Sequence, residues 1–256
     1  MPQHSRHKAI IELVKRQGYT SIEQLANHFD VTPQTIRRDL NQLANDNLIR
    51  RVHGGAGLLE SSTVNASYKT RKTLNFDAKK RIAEKLVEHI PDHSSLFINI
   101  GTSTELVAEA LLHHHGLEVI TNNLNVAAIL QRKEDFNVII AGGMVRSRDG
   151  GIIGEATIDF IQQFKVDYGI IGISGIDMDG SLLEFDYQEV RVAQAIIKNS
   201  RNVFLTADHS KFSRNAVVRQ GNISQLDALF TDQLPPQPIR ELLHSHGIAL
   251  HVAGHD

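Results

Sequence analysis

Residues 31–40 read VTPQTIRRDL, and this stretch packs a helix start, an apolar stripe and two adjacent arginines into ten positions. Thr32 predicts an N-cap whose hydroxyl accepts from a first-turn amide, and Pro33 fits the first helical position, where its missing N–H costs nothing. At ~100° per residue Ile36, Leu40, Leu43 and Ala44 fall on one side, so Gln34, Arg38 and Asn41 project from the other, with Thr35 and Arg37 on the flanks. Those are groove-reading side chains. Gln and Asn can bond an adenine edge in bidentate fashion, Arg can bond a guanine edge or a phosphate, and the Thr methyl can meet a thymine methyl.

Working outward, Ser21 with Gln24 three residues later predicts a capping box on a short helix that buries Ile22, Leu25, Ala26 and Phe29, and Asp30-Val31 makes the turn into the stretch above. Before it, Ser5 is expected to cap a helix with Ile10, Ile11, Leu13 and Val14 as its buried stripe, ended by Gly18. After it, LIRRVHGGAG predicts a strand, a glycine turn and a return, a small wing carrying Arg50, Arg51 and His53. Helix, tight turn and a helix with this polar face is the helix-turn-helix arrangement. Amphipathic helices with surface arginines are also common in proteins that never meet nucleic acid, so spacing alone leaves both readings open.

The charge distribution bears on the choice. Residues 1–85 carry 15 Lys+Arg against 8 Asp+Glu, whereas residues 86–256 carry 12 against 21, beneath a formal net charge of only -2. A basic head on an acidic body fits a head that meets a polyanion. The length, 256 residues, suits a small module plus a larger one. With 41% hydrophobic and 22% charged residues the composition is that of an ordinary globular protein. The absence of cysteine excludes a disulfide scaffold, a thiolate zinc site and a cysteine nucleophile. No apolar run approaches the ~20 residues that span a bilayer, and the amphipathic IELVKRQG following the N-terminus is unlike a signal-peptide core, so a cytoplasmic protein with no membrane partner is expected.

In the head, Arg6, Ile10 and Val14, then TIRRDL over 35–40 and RVHGGA over 51–56, resemble the N-terminal signature of the DeoR-type bacterial repressors. The resemblance covers the whole head. It implies that residues 1–57 form a winged helix-turn-helix domain for operator DNA. Gln34, Thr35, Arg37, Arg38 and Asn41 would then lie on the recognition helix, and Arg50 and Arg51 on phosphates. Asp39 is expected to hold the helix through arginines near it.

Residues 58–76, enriched in Ser, Thr and Asn with a basic patch at Lys69, Arg71 and Lys72, read as a linker. Beyond them SLFINI, LEVIT, FNVIIA, YGIIGI, NVFLT, LDALF and IALHVA are short apolar runs, with amphipathic stretches such as ELVAEALL, TIDFIQQF and IRELLHSH between them. That alternation predicts an α/β doubly wound parallel sheet over residues 77–256, with a ligand at the carboxyl ends of its strands.

Four strand ends carry polar signals. Gly101-Thr102-Ser103-Thr104 lies between a strand and a helix, where amides and hydroxyls can hold an anion, although a simple capped turn has the same sequence. The loop from Gly142 and Gly143 carries Arg146 and Arg148 as candidate clamps. GISGIDMDGSLLEFDYQEV supplies Asp177 and Glu184, which could bond polyol hydroxyls or simply face water. FLTADHSKF places Asp208 and Lys211 past a strand, where a lysine can meet phosphate.

Taken in order with Thr121-Asn122, these loops resemble the sugar-phosphate pocket of the ribose-5-phosphate-isomerase-like fold, to which the C-terminal domain of the DeoR family belongs. The resemblance makes Gly101, Thr102, Ser103, Thr104, Asn122, Gly142, Gly143, Arg148, Asp177, Glu184 and Lys211 the candidate effector residues. Isomerases of that fold use a D-G-A-D-E segment for proton transfer. SGIDMDG stands in its place here, so binding without catalysis is expected, with no catalytic residues and no cofactor.

RDGGIIGEATIDFI, TNNLNVA and the 172–191 stretch are most similar to family members that answer to glycerol 3-phosphate, which implies a small phosphorylated polyol as inducer and a homo-oligomer, dimer or tetramer. One departure is Ala193-Gln194, where the resemblance leads one to expect Lys-Arg. His113–His115 lacks ligand spacing elsewhere, so no metal is expected, and adjacency does not make Asp208-His209-Ser210 a triad.

Overall fold

The computed structural model describes residues 3–17, 19–46, 48–52, 54–57, 62 and 65–254. It divides into two units, Met1–Asn65 and Ala66–Asp256.

The first unit contains α1 (Gln3–Gln17), β1 (Tyr19–Ser21), α2 (Ile22–Phe29), α3 (Pro33–Asn45), β2 (Arg50–Val52) and β3 (Gly55–Gly57). The local signals at α2 and α3 are realised atom by atom. Ser21 and Gln24 form a reciprocal capping box, and Thr32 Oγ1 accepts from the Thr35 amide at 3.2 Å with Pro33 at the first position. Asp30 ends α2 in the left-handed region at φ 51°, a conformation that a short polar side chain tolerates. Ile10, Leu25, Ile36, Leu40 and Leu43 form a fully buried core, and Phe29 packs partly exposed at its edge.

Three readings need correction. Ser5 is an exposed residue inside α1, which begins at Gln3, so it is not that helix's cap. The wing is a three-stranded sheet in the order β1-β3-β2, because Tyr19–Ser21 adds a strand that three residues cannot announce. The expected helix end at Gly18, and His53 in the wing, lie outside the described residues. Gly54 makes the wing turn at φ 78°, and its carbonyl accepts from the Ile22 amide, tying wing to α2.

The second unit begins with α4 (Tyr68–Thr73), a helix in the stretch that read as linker; residues 58–61, 63 and 64 of that stretch lie outside the described residues. It continues through α5 (Phe76–Val87), β4 (Ser95–Ile98), α6 (Thr102–Leu111), β5 (Glu118–Thr121), α7 (Leu124–Leu130), β6 (Asn137–Ile140), β7 (Met144–Val145), β8 (Ile152–Ile153) and α8 (Glu155–Ile161). There follow β9 (Val166–Gly172), β10 (Gly175–Ile176), β11 (Ser181–Glu184), α9 (Tyr187–Lys198), β12 (Ser200–Thr206), β13 (Val218–Asn222), β14 (Ala228–Thr231), α10 (Gln237–Ser245) and β15 (Ala249–Val252).

All seven apolar runs become one parallel sheet in the order β15-β14-β12-β9-β4-β5-β6. Its central strands read as continuous apolar runs because both faces are covered, while the edge strands β6 and β15 stay partly exposed. Leu96, Ile98, Ile170, Phe204 and Phe230 pack into the core on one face, while Phe97, Ile171, Leu205 and Leu229 pack into the core on the other. Two small antiparallel sheets, β7-β8 and β10-β11-β13, are additions that the sequence reading did not separate from loop. Among the described residues no helix is long and apolar enough to cross a membrane.

Candidate functional site

Gln34, Arg37, Arg38 and Asn41 are all exposed on α3, along with Pro33, Gln42 and Asn45. Gln34, Arg38 and Asn41 are spaced i, i+4, i+7, which aligns them on one face. Thr35 is half-buried and its hydroxyl lies 2.9 Å from that of Thr32, so its oxygen belongs to the cap and its methyl is what remains to meet a base. Beneath that face Asp39 is fully buried, held at 2.6 Å by Arg6 and at 3.0 Å by His7, both on α1. The arginine expected to hold Asp39 thus comes from α1 and not from the neighbours Arg37 and Arg38. On the wing Arg51 is exposed and Arg50 half-buried.

In the second unit the chain leaves β4 toward β5 on one side and leaves β9 toward β12 on the other, while β4 and β9 are hydrogen-bonded neighbours. That reversal opens a crevice at their carboxyl ends, where open parallel sheets bind ligands. Gly101 caps α6, and the amides that follow it lack intrahelical acceptors. Thr102 and Ser103 are partly exposed there, whereas Thr104 is fully buried and its hydroxyl donates to the Asn99 and Gly101 carbonyls at 2.7 and 2.8 Å. Thr104 therefore builds the loop and leaves ligand contact to its two neighbours.

Three cations come within electrostatic reach of one another beside this loop. Lys79, on α5, is buried with its Nζ 3.4 Å from Thr102 Oγ1, and Arg71, on α4, accepts through its carbonyl from the Thr102 hydroxyl at 3.3 Å. Lys211 follows β12, with its Nζ 3.9 Å from the buried Asp208 carboxylate. Burial lowers the Lys79 pKa to about 8, and although Asp208 opposes the fall, Lys211 and Arg71 deepen it by repulsion. Burial lowers Lys211 as well, against the attraction of Asp208. Asp208 itself is driven up by burial, but Lys211, Ser210 and Asn75 outweigh that and hold it at about 2. The Arg71 Nε is buried with no hydrogen-bond partner among the described residues, and its Nη2 reaches Asp149 at 3.5 Å. Such a cluster can hold a phosphate dianion.

Glu184 lies within electrostatic reach of Lys211 and Arg71, buried so deeply that desolvation, helped by Glu189, raises its pKa to about 7. A neutral carboxyl of this kind donates as well as accepts, which suits a hydroxyl partner.

The remaining candidates serve the frame around the crevice. Asn122 is buried, donates to the Ile152 carbonyl at 3.1 Å and leaves its own side-chain oxygen without a partner among the described residues. The Gly142 carbonyl accepts from Thr157, while a side chain on Gly143 would lie within 2.2 Å of the Thr157 hydroxyl, so Gly143 serves close packing against α8 and Gly142 has open space around it. Arg148 is exposed and pairs with Asp186 at 2.6 Å. Arg146, which also read as a clamp, is buried and bound by Asp149, Asp186 and Glu189. Asp177 is exposed in the β10-β11 turn, where it accepts from the Met178 amide. Ala193 is fully buried in α9 and Gln194 donates to the Gln220 carbonyl on β13. Among the described residues no group of three or more His, Asp or Glu side chains could hold a metal ion.

Lys79 and Arg71 are the residues that the sequence reading missed. Lys79 had a signal, since it stands three, four and seven residues before Ile82, Ala83 and Leu86 and so on the apolar stripe of its helix, where a cation is out of place.

Residues 6–62 match the DeoR-like helix-turn-helix domain, and residues 74–233 match the DeoR C terminal sensor domain. The chain belongs to the DeoR family. The DeoR chain is 60% identical over 252 residues to the glycerol-3-phosphate regulon repressor of Escherichia coli (strain K12), covering 98% of this chain and 100% of that one. It is 54% identical to the glycerol-3-phosphate regulon repressor of Haemophilus influenzae, covering 92% and 91% of the two chains. Among solved structures it is similar to ribose 5-phosphate isomerase A from Neisseria gonorrhoeae, with a TM-score of 0.40, 17% identity and coverage of 56% and 54%. As a DeoR protein it is a DNA-binding transcriptional repressor, and its curated relatives are regulators, not enzymes.

Proposed function

We propose that this repressor controls genes for the use of glycerol and glycerol 3-phosphate, and that glycerol 3-phosphate releases it from its operator. Gln34, Thr35, Arg37, Arg38 and Asn41 would enter the major groove while Arg50 and Arg51 hold phosphates. The inducer's phosphate would sit against the amides after Gly101, the hydroxyls of Thr102 and Ser103, and the ammonium groups of Lys79 and Lys211, with Glu184 toward its hydroxyls. The observation that carries the inducer is the approach of Lys79 and Lys211 beside the Thr102 turn, two ammonium groups that repel one another and that a dianion would reconcile. The relatives named for the glycerol-3-phosphate regulon point to the same ligand.

Release is linkage. The inducer binds the arrangement with low DNA affinity better than the other, with a coupling of ~1–3 kcal/mol typical of such systems. Operator binding also calls for a homo-oligomer, dimer or tetramer, since one recognition helix covers a half-site. The deciding experiment is operator binding of the full chain at fixed salt, titrated with glycerol 3-phosphate, glycerol and a panel of other sugar phosphates. Release by glycerol 3-phosphate alone supports the reading, and release only by another phosphate reassigns the inducer.

A further inference from the structure

The Arg71 carbonyl occupies an unusual place. It belongs to the last turn of α4, where carbonyls lack intrahelical donors, and it is satisfied instead by the Lys79 ammonium and the Thr102 hydroxyl. Those are two of the groups placed above against the inducer's phosphate, so a backbone oxygen of α4 stands where a phosphate oxygen would compete. A charged oxygen binds an ammonium more strongly than a neutral carbonyl does.

The helix is built to let go. None of the α4 side chains is buried, and its remaining attachments are polar. Tyr68 donates to Glu105 at 2.8 Å and accepts from Asn125 at 3.2 Å, and Arg71 reaches Asp149 at 3.5 Å. An element with no buried side chain belongs to the less stable part of a fold. It is also the first helix of the second unit along the chain, a few residues after Asn65 ends the DNA-binding unit.

We propose that α4 is a strap held closed by the Arg71 carbonyl, and that the inducer's phosphate opens it by taking Thr102 and Lys79 from that carbonyl. The inference rests on the inducer reading above and adds the route by which occupancy reaches the segment leading to the DNA-binding unit. Closing the strap and binding phosphate are then alternatives, so any change that weakens the strap elsewhere must tighten the ligand.

The test is hydrogen exchange on the full chain, with glycerol 3-phosphate as probe and glycerol as control, alongside the thermal midpoint and a Tyr68→Phe variant. Tyr68 touches Glu105 and Asn125 and none of the groups assigned to phosphate. With glycerol 3-phosphate, amides of residues 68–74 exchange faster while those of 102–106 slow. Y68F shows the fast exchange without ligand and binds glycerol 3-phosphate roughly fivefold tighter or more, within the usual range of such couplings. Slower exchange over 68–74 on binding, or weaker binding by Y68F, overturns the strap and leaves the inducer reading intact. An unmoved midpoint, with no exchange change anywhere, brings down both.

Discussion

Arg6 Nε lies 2.6 Å from Asp39 Oδ2, with Arg6 Nη2 3.2 Å from the other carboxylate oxygen, so the first helix grips the recognition helix through a buried two-point ion pair. Asp39 lies directly between Arg38 and Leu40, which makes this pair the brace behind the DNA-reading face. Burial alone would raise the Asp39 pKa, but hydrogen bonds from Arg6 and His7 outweigh it and hold the carboxyl below its ordinary value.

Removing one partner strands the other charge in the core. Asp39→Ala is expected to cost the N-terminal unit about 3–5 kcal/mol, read as loss of hydrogen-exchange protection over 33–45 and loss of operator binding. A folded pKa below the unfolded value gives stability that is complete above about pH 3.9 and drains away as pH falls through the folded value. The variant should lack that acid limb; if it keeps the limb and its protection, the pair is not the brace.

Arg37 and Arg38 are both exposed and separate by what they contact. If Arg38, aligned with Gln34 and Asn41, reads a base edge, Arg38→Ala weakens operator binding by ~1–3 kcal/mol and relaxes preference at one base pair. Arg37→Ala, on the flank, is expected to weaken all sequences alike and make the salt dependence shallower by about one phosphate. Exchanged signatures would swap the assignments.

Glu184 supplies a pH dependence of opposite sign to Asp39. Burial first, and Glu189 second, raise its pKa to about 7, so between about pH 4.5 and 7 the folded chain holds a proton that the unfolded chain has lost. Stability therefore falls as pH rises across that window, by ~3 kcal/mol for this group, and is flat above it. Glu184→Gln keeps the hydrogen-bonding shape and should remove the slope from denaturation curves at pH 5, 6, 7 and 8. An unchanged slope would place its origin elsewhere.

What could be read from sequence was what local rules or burial on both faces determine. The caps at Ser21 and Thr32 are encoded within four residues, and the central strands announce themselves because β4, β5, β9, β12 and β14 are largely buried. β1 and α4 were hidden for the converse reason: three residues carry no periodicity, and a helix with no buried side chain has no apolar stripe to show. Arg146 looked like a ligand clamp because its partners Asp186 and Glu189 lie some forty residues away along the chain. The site was legible as a set of strand-end loops with Lys211 among them, but Lys79 comes from α5, which precedes the first strand of the parallel sheet and carries no strand-end signal.

Lys79 joins stability to ligand binding in a single titration. Burial lowers its pKa from 10.5 to about 8, so across that interval the unfolded chain carries a proton that the folded chain lacks. The ligand-free protein therefore gains stability as pH rises from about 8 to 10.5. Phosphate binding works against this, because it needs the ammonium and must draw the proton back. Affinity for glycerol 3-phosphate should fall as pH rises through about 8, while on the acid side it weakens below about pH 6, where the phosphate itself loses its second charge. Lys79→Met is expected to abolish the stability gain above pH 8 and to weaken the ligand by roughly 1.5–3 kcal/mol, the range for a hydrogen bond to a charged group. Calorimetric titrations at pH 7 and 9 in two buffers of different ionisation heat would show proton uptake on binding at pH 9 in the native chain and its loss in the variant. Equal proton uptake by both would mean that another group meets the phosphate and that Lys79 serves only to hold Arg71 and Thr102 in place.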